Sequence, residues 1–400
     1  MKKLHYSWII CLATALVMFC TQGLCVNAFT IYMPYVRVQN GFTNAQSSVI
    51  ITVRSTFSFL SVLLIGIYYR KLPLRWGMLV GGLMSAAGFV LFGIARTHAV
   101  YCIGAALCGL GFGLAGLIPA AVMMEHWFAA KRTVAMGLCT ASTGLALLGI
   151  PQLLTWLIEH KSLQTAFLTQ AAAVAAIILT AVLLLRDRPD EKGLRPYGAE
   201  EGAASARIVR HGRSLQKKSW LLLVPLLFLL GGVNTSGFNH LTMLATSQGF
   251  SEQTAAAAMT VGGLSLMLAK CLYGWVADKL GMVAGNWIFC GILVAGALCC
   301  TLSSSTPVLF AAVCLYCAGL SVASVGITAW AGDLSAAEQY DRTVRRFQTL
   351  ATMGGLTFSS VPGMLADLFG GSYIPAYGLF LAFAAYILLA IQFIYHSSKT

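Results

Sequence analysis

Runs of twenty or more apolar residues recur along this chain, and they constrain the fold more than any other feature. A segment of that length with few charges crosses a bilayer as a helix, because the hydrocarbon core offers backbone N–H and C=O groups no other partner. Spanning strands would be about half as long and would alternate apolar with polar residues, which these runs do not. Composition agrees: hydrophobic residues make up 58% of the chain, charged residues 10%, and mean hydropathy is +0.78. A soluble domain carries about 25% charged residues. The expectation is an all-α membrane protein with twelve transmembrane helices, at roughly 8–34, 45–67, 76–95, 100–124, 134–158, 164–185, 220–246, 254–276, 284–303, 307–330, 347–369 and 375–395.

The net charge of +13 raises nucleic acid as a partner, and its distribution removes it. With both termini inside, 21 of the 26 basic residues fall on the inner side, and only Arg37, Arg96 and Lys161 fall outside. Arg54 and Lys270 remain within spans. That bias predicts a multi-pass protein of the cytoplasmic (inner) membrane with both termini cytoplasmic. Lys2 and Lys3 before an apolar run resemble a signal peptide, but the run is too long and lacks a cleavage site, so it reads as an uncleaved first helix. The twelve cysteines are scattered mostly through apolar spans without metal spacing, and they read as small buried hydrophobes. No cofactor and no metal are expected.

One offset ties the chain to itself. Gly274-Trp-Val-Ala-Asp278-Lys279-Leu-Gly281 lies 208 residues beyond Gly66-Ile-Tyr-Tyr-Arg70-Lys71-Leu-Pro73, and Gly249-Phe250-Ser251 lies 208 beyond Gly41-Phe42-Thr43. Two landmarks on one offset predict two copies of one membrane unit. Residues 186–219, the only long polar stretch, read as a solvated cytoplasmic linker. The expected domains are therefore 1–185 and 220–400, pseudo-symmetric six-helix bundles on either side of it. Under the same offset His240 corresponds to Tyr32 and Thr235 to Asn27, so the first helix of each bundle places polar groups at matching depth.

Arg54 and Lys270 carry the chemistry. A cation at mid-bilayer costs about 2.5–3.5 kcal/mol on insertion scales and normally faces an interior or a partner. All thirteen acids fall in the linker or near span ends, none in the middle of a span. A bound anion would then balance the two cations. Ser47, Arg54, Ser58 and Ser61 share one helical face. The candidate substrate-binding residues are Lys270, Arg54, His240, Tyr32, Asn27 and Asn239. Snorkelling of the two cations, and plain helix–helix hydrogen bonding by the asparagines and His240, are the competing readings. Glycines 104, 109, 111, 113 and 116 read as close-packing positions.

G-x-x-x-D-K-x-G at Gly274, Asp278, Lys279 and Gly281, with six spans on each side of a linker, resembles the major facilitator superfamily over essentially the whole chain. Trp127-Phe128-x-x-Lys131-Arg132-x-x-Ala135-x-Gly137 and Pro189-Asp-Glu-x-Gly193-Leu194-x-Pro196 resemble its monocarboxylate and oxalate–formate branch. The resemblance implies a monomeric secondary carrier working by alternating access, with a small anionic metabolite and the lipid bilayer as partners. It implies a conformational gate at Gly274, Asp278, Lys279 and Gly281 and, in the first bundle, at Gly66, Arg70 and Lys71. It also implies a substrate carboxylate at Lys270, where the branch has arginine. The chain departs from the branch at Leu266, where proton-coupled carriers have aspartate, and at Arg70 and Pro73 in the first gate. Two rivals stay open, an exporter of amphiphilic compounds and a non-transporting sensor. Enzyme chemistry is disfavoured, since no H-E-x-x-H, nucleophile elbow or paired intramembrane acids occur.

Overall fold

Where the sequence sets Gly-Phe-Thr and Gly-Phe-Ser 208 residues apart, the chain makes the same turn twice. Gly41 and Gly249 both adopt positive φ, 64° and 86°, a region that costs other L-residues about 1–2 kcal/mol. Two residues on, Thr43 and Ser251 cap the next helix, their hydroxyls accepting from Gln46 N (3.1 Å) and Thr254 N (3.2 Å). The Gln46 side chain returns the bond to Thr43 N at 3.0 Å, closing a capping box.

The computed structural model describes residues 5–129, 132–199, 217–335 and 340–397. These form α1 (Tyr6–Asn40), α2 (Asn44–Lys71), α3 (Leu74–Ile94), α4 (His98–Trp127), α5 (Arg132–Leu145 and Ile150–His160) and α6 (Leu163–Leu184). They continue as α7 (Lys217–Gly232, Val233–Gly237 and Leu241–Ser247), α8 (Glu252–Leu280), α9 (Met282–Thr301), α10 (Thr306–Leu334), α11 (Tyr340–Phe358 and Val361–Leu368) and α12 (Ile374–Ser397). No strand occurs among the described residues; Phe128 and Tyr197 form one isolated bridge. This is the all-α, twelve-segment membrane architecture expected from the sequence. The duplication is exact in register for three helices: α8, α9 and α10 begin 208 residues after α2, α3 and α4.

Eleven helices among the described residues are long and apolar enough to cross a membrane. The expected span 347–369 is the exception. It breaks after Phe358, and Pro362 opens the following short helix, where its missing N–H costs nothing.

Two compact units emerge, Met1–Tyr32 with Val53–Ile208 and Met33–Thr52 with Val209–Thr400, as far as these residues are described. The unit boundaries thus fall inside α1 and inside α2, and residues 33–52 pack with the second unit.

In the first unit, Asp187 Oδ1 accepts from Arg75 N at 2.7 Å, capping α3 beyond its own helix. Burial pushes this carboxyl up from its ordinary value, and the Arg75 N–H pulls it back. The polar stretch expected to be solvated is docked where it is described. Tyr197 N donates to Trp127 O (2.9 Å), and Ala129 N donates to Tyr197 O (3.0 Å). The Trp127 indole N–H donates to Arg186 O (2.8 Å). Trp8 packs edge-on against Phe128 and Tyr197 over this junction, and the Phe128 and Tyr197 rings are tilted against each other.

Between α8 and α9, Gly281 has φ +87° and ψ 161°. The corresponding Pro73 makes its turn at φ −56° and ψ 149°. Gly281→Ala is expected to destabilise the protein by about 1–2 kcal/mol, read as a lower thermal unfolding midpoint in detergent, whereas Pro73→Ala, with no positive φ to lose, should change it by less.

Candidate functional site

Four of the six candidate residues lie within or beside irregular turns of α1 and α7. In α1 a π-helical stretch, Phe19–Asn27, runs into a 3-10 turn, Ala28–Ile31. A widened turn frees carbonyls that lipid cannot satisfy, and side chains of the same unit do so instead. Gln170 Nε2 donates to Leu24 O at 2.8 Å, and the Tyr32 hydroxyl donates to Gln170 Oε1 at 2.7 Å. The Tyr32 ring stacks on Phe167 with centroids 4.2 Å apart. Asn27 Nδ2 donates to Thr143 O at 3.2 Å.

Arg54, only 4% exposed, joins this cluster: its Cζ lies 5.3 Å from the centre of the Phe29 ring, a cation–π geometry. Phe29 in turn lies 6.2 Å from Tyr32. Arg54 is brought in by the α4 glycines, since a side chain at Gly109 would collide with the Arg54 carbonyl. The first unit therefore gathers Arg54, Tyr32 and Asn27 around one irregular helix. Ser58 and Ser61 of the predicted stripe are buried in the same unit, and Ser47 is buried in the second unit.

In α7 the π-helical stretch Val233–Gly237 is satisfied almost carbonyl by carbonyl. Tyr316 Oη donates to Val233 O (2.8 Å), Asn239 Nδ2 to Thr235 O (2.6 Å), and Tyr377 Oη to Gly237 O (2.6 Å). His240 Nδ1 lies 2.8 Å from Ser236 O. A carbonyl only accepts, so Nδ1 carries the proton, and in the neutral ring Nε2 accepts from the Ser48 hydroxyl at 2.8 Å.

That bond opens a network which sequence reasoning missed. The Tyr373 ring stacks beside His240 at 5.8 Å and its hydroxyl donates to Asn44 Oδ1 at 3.2 Å. The Asp367 carboxylate accepts from Asn44 N (3.0 Å), Asn44 Nδ2 (2.8 Å) and Ala45 N (2.8 Å), so an acid from α11 caps α2. Ser359 Oγ donates to Thr52 Oγ1 at 2.9 Å, with Ser360 also bonded to Thr52. The partners are hundreds of residues apart, and the one available signal was an acid, Asp367, at a span end.

Lys270 stands on α8 and is half-buried. Among the described residues it makes no hydrogen bond or ion pair. Val261, Leu264, Leu268, Leu272 and Trp275 form the exposed apolar stripe of α8. At about 100° per residue Lys270 lies roughly 160° from the middle of that stripe. Asn239 and His240 thus serve neighbouring carbonyls of α7, and Lys270 shares no hydrogen bond with either among the described residues.

Of the gate residues, Lys279, Arg70 and Lys71 are exposed at helix ends. A Cβ at Gly274 or Gly66 would meet nothing. The Asp278 side chain, Lys131 and the Arg132 side chain lie outside the described residues. Tyr68 and Tyr69, not singled out in sequence, fasten the end of α2 by donating to Gly77 O (3.0 Å) and Leu114 O (2.6 Å).

The family model of the Major Facilitator Superfamily matches residues 11–283. The chain belongs to that superfamily. Within it, the chain is similar to human monocarboxylate transporter 12, 24% identical over 346 residues, 78% of this chain and 65% of that protein. The chain thus spans less than two thirds of this relative's length. It is also similar to the agnestins efflux protein AgnL12 of Paecilomyces divaricatus, 26% identical over 372 residues, 91% of this chain and 80% of that one. In structure it resembles the nucleoside transporter NupG, with a TM-score of 0.73 at 11% identity over 98% of this chain and 99% of that one. With eleven helices long and apolar enough to cross a membrane, this superfamily member is a multi-pass membrane protein.

Asp367→Ala should lower the stability of the protein by about 1 kcal/mol, the worth of an exposed helix cap. Thermal unfolding in detergent checks this, and Asp367→Asn, which keeps one acceptor oxygen, should recover part of the loss.

Proposed function

We propose that this superfamily member moves a small organic anion, a mono- or dicarboxylate, by alternating access. The observation that supports this most is the placement of its two intramembrane cations. Arg54 is enclosed and Lys270 lies off the exposed stripe of α8, while every acid among the described residues stands in a loop or near a helix end. An anionic cargo would offset part of the cost of keeping those charges in the bilayer. The name of the human monocarboxylate relative points the same way.

In this reading Lys270 contacts the carboxylate as a point charge, since an ammonium lacks the planar fork of arginine. Arg54 supplies field from within the first unit. Asn27, Tyr32, Asn239 and His240 hold the irregular helices open and present their remaining edges to the cargo. Gly274, Asp278, Lys279 and Gly281, with Gly66, Arg70 and Lys71, serve the gate. The carrier works as a monomer in the cytoplasmic membrane with both termini cytoplasmic. Exchange or facilitated movement suits a membrane interior without carboxylates better than proton symport does, and His240 is the titratable group available for a proton.

A second reading, export of a larger amphiphilic compound, is favoured by the length over which the fungal efflux protein aligns. Uptake and counterflow of a labelled organic-acid panel in proteoliposomes separates the two. The anion reading expects saturable transport of at least one mono- or dicarboxylate, falling tenfold or more in Lys270→Gln. Transport untouched by that substitution removes Lys270 from the site, and no flux of any acid favours export.

A further inference from the structure

The beginning of α11 holds a cavity that the transport reading does not use. It measures about 580 Å3 and is lined by Trp220 of α7 and by Arg342, Arg345, Arg346, Thr349 and Leu350 of α11. Arg342, Arg345, Arg346 and Thr349 fall at i, i+3, i+4 and i+7, so three guanidinium groups share one face of one helix end. All three are exposed. The other wall is an indole: Trp220 packs edge-on against Phe347, with centroids 6.0 Å apart.

Charge alone at this end would serve topology; the cavity and what lies beyond it ask for more. Along the same face of α11 the next exposed residue is Met353, 43% exposed, and on α7 Leu221 and Val224 follow Trp220 at 78% and 40%. A cationic rim thus gives way within about two turns to bare apolar surface on both helices. A soluble phosphate compound would satisfy the rim and leave that surface uncovered. A phospholipid matches both parts, its phosphate in the arginine forks and its acyl chain along Met353, Leu221 and Val224.

We propose that this cavity binds the phosphate headgroup of an anionic phospholipid, with Arg342, Arg345 and Arg346 as its ligands and Trp220 as its wall. The inference rests on the membrane-spanning reading and not on the cargo or direction of transport. Its test therefore needs no flux. Protein purified in a neutral detergent is titrated with phosphatidylglycerol, with phosphatidylcholine of the same acyl chains, and with inorganic phosphate, and the thermal unfolding midpoint is followed.

Phosphatidylglycerol should raise the midpoint by several degrees more than phosphatidylcholine, as binding to the folded state requires. The Arg342→Gln, Arg345→Gln, Arg346→Gln triple variant should lose most of that difference. Replacing all three by lysine should restore only part of it, because lysine keeps the charge and loses the fork. If the triple variant does not fold, Arg346→Gln alone should shift the titration to higher lipid. Equal stabilisation by inorganic phosphate would assign the site to a free anion and overturn the lipid. An equal response of wild type and variants to phosphatidylglycerol would overturn the site.

Discussion

Lipid supplies no hydrogen bonds, and this constraint organises the irregular parts of the structure. Regular spans satisfy their own backbone; the widened turns of α1 and α7 do not. In α7, Tyr316, Asn239, His240 and Tyr377 each serve one of the freed carbonyls. In α1 the chain from Tyr32 through Gln170 to Leu24 O does the same work. The polar residues of these helices are therefore placed first by the backbone. Any contact they make with a cargo has to use what is left, and His240 already has both ring nitrogens engaged, by Ser236 O and by the Ser48 hydroxyl.

The two cations are held differently, and the difference bears on what each can do. Arg54 is enclosed in the first unit against Phe29, behind backbone drawn close by Gly109. In the proposed mechanism its contribution is a field, which low dielectric strengthens. Lys270 keeps part of its surface accessible on the flank of α8, which suits a group that must gain and release a ligand. In the proposed mechanism, the lysine in place of the branch's arginine gives weaker, less directional binding, consistent with a carrier that has to let go.

Much of this was legible in the sequence because its signals are local. Hydropathy locates the spans, and the 208-residue offset gives the starts of α8, α9 and α10 from those of α2, α3 and α4. The repeated glycine and hydroxyl residues before α2 and α8 announce a turn and a cap by their chemistry. The rest depends on contacts no window can see. The π-helical stretches are fixed by packing, Gly23 against Ala146 in one case, and leave no mark in hydropathy. The break in α11 hides inside a run that reads as apolar to its end. Asn44, Ser48, Asp367 and Tyr373 look ordinary until folding brings them together. The linker read as solvated from its charges because Tyr197, which docks it, is one residue in a polar stretch.

The central claim is that Lys270 faces water and an anion rather than lipid. Lys270→Cys in a background freed of the native cysteines, all of them unpaired thiols, tests it directly. In proteoliposomes its labelling rate by a membrane-impermeant, negatively charged thiol reagent is measured with and without an organic acid. The account predicts rapid labelling that falls several-fold when a mono- or dicarboxylate is present. Labelling only by lipid-soluble maleimides, with no protection by any acid, would contradict it.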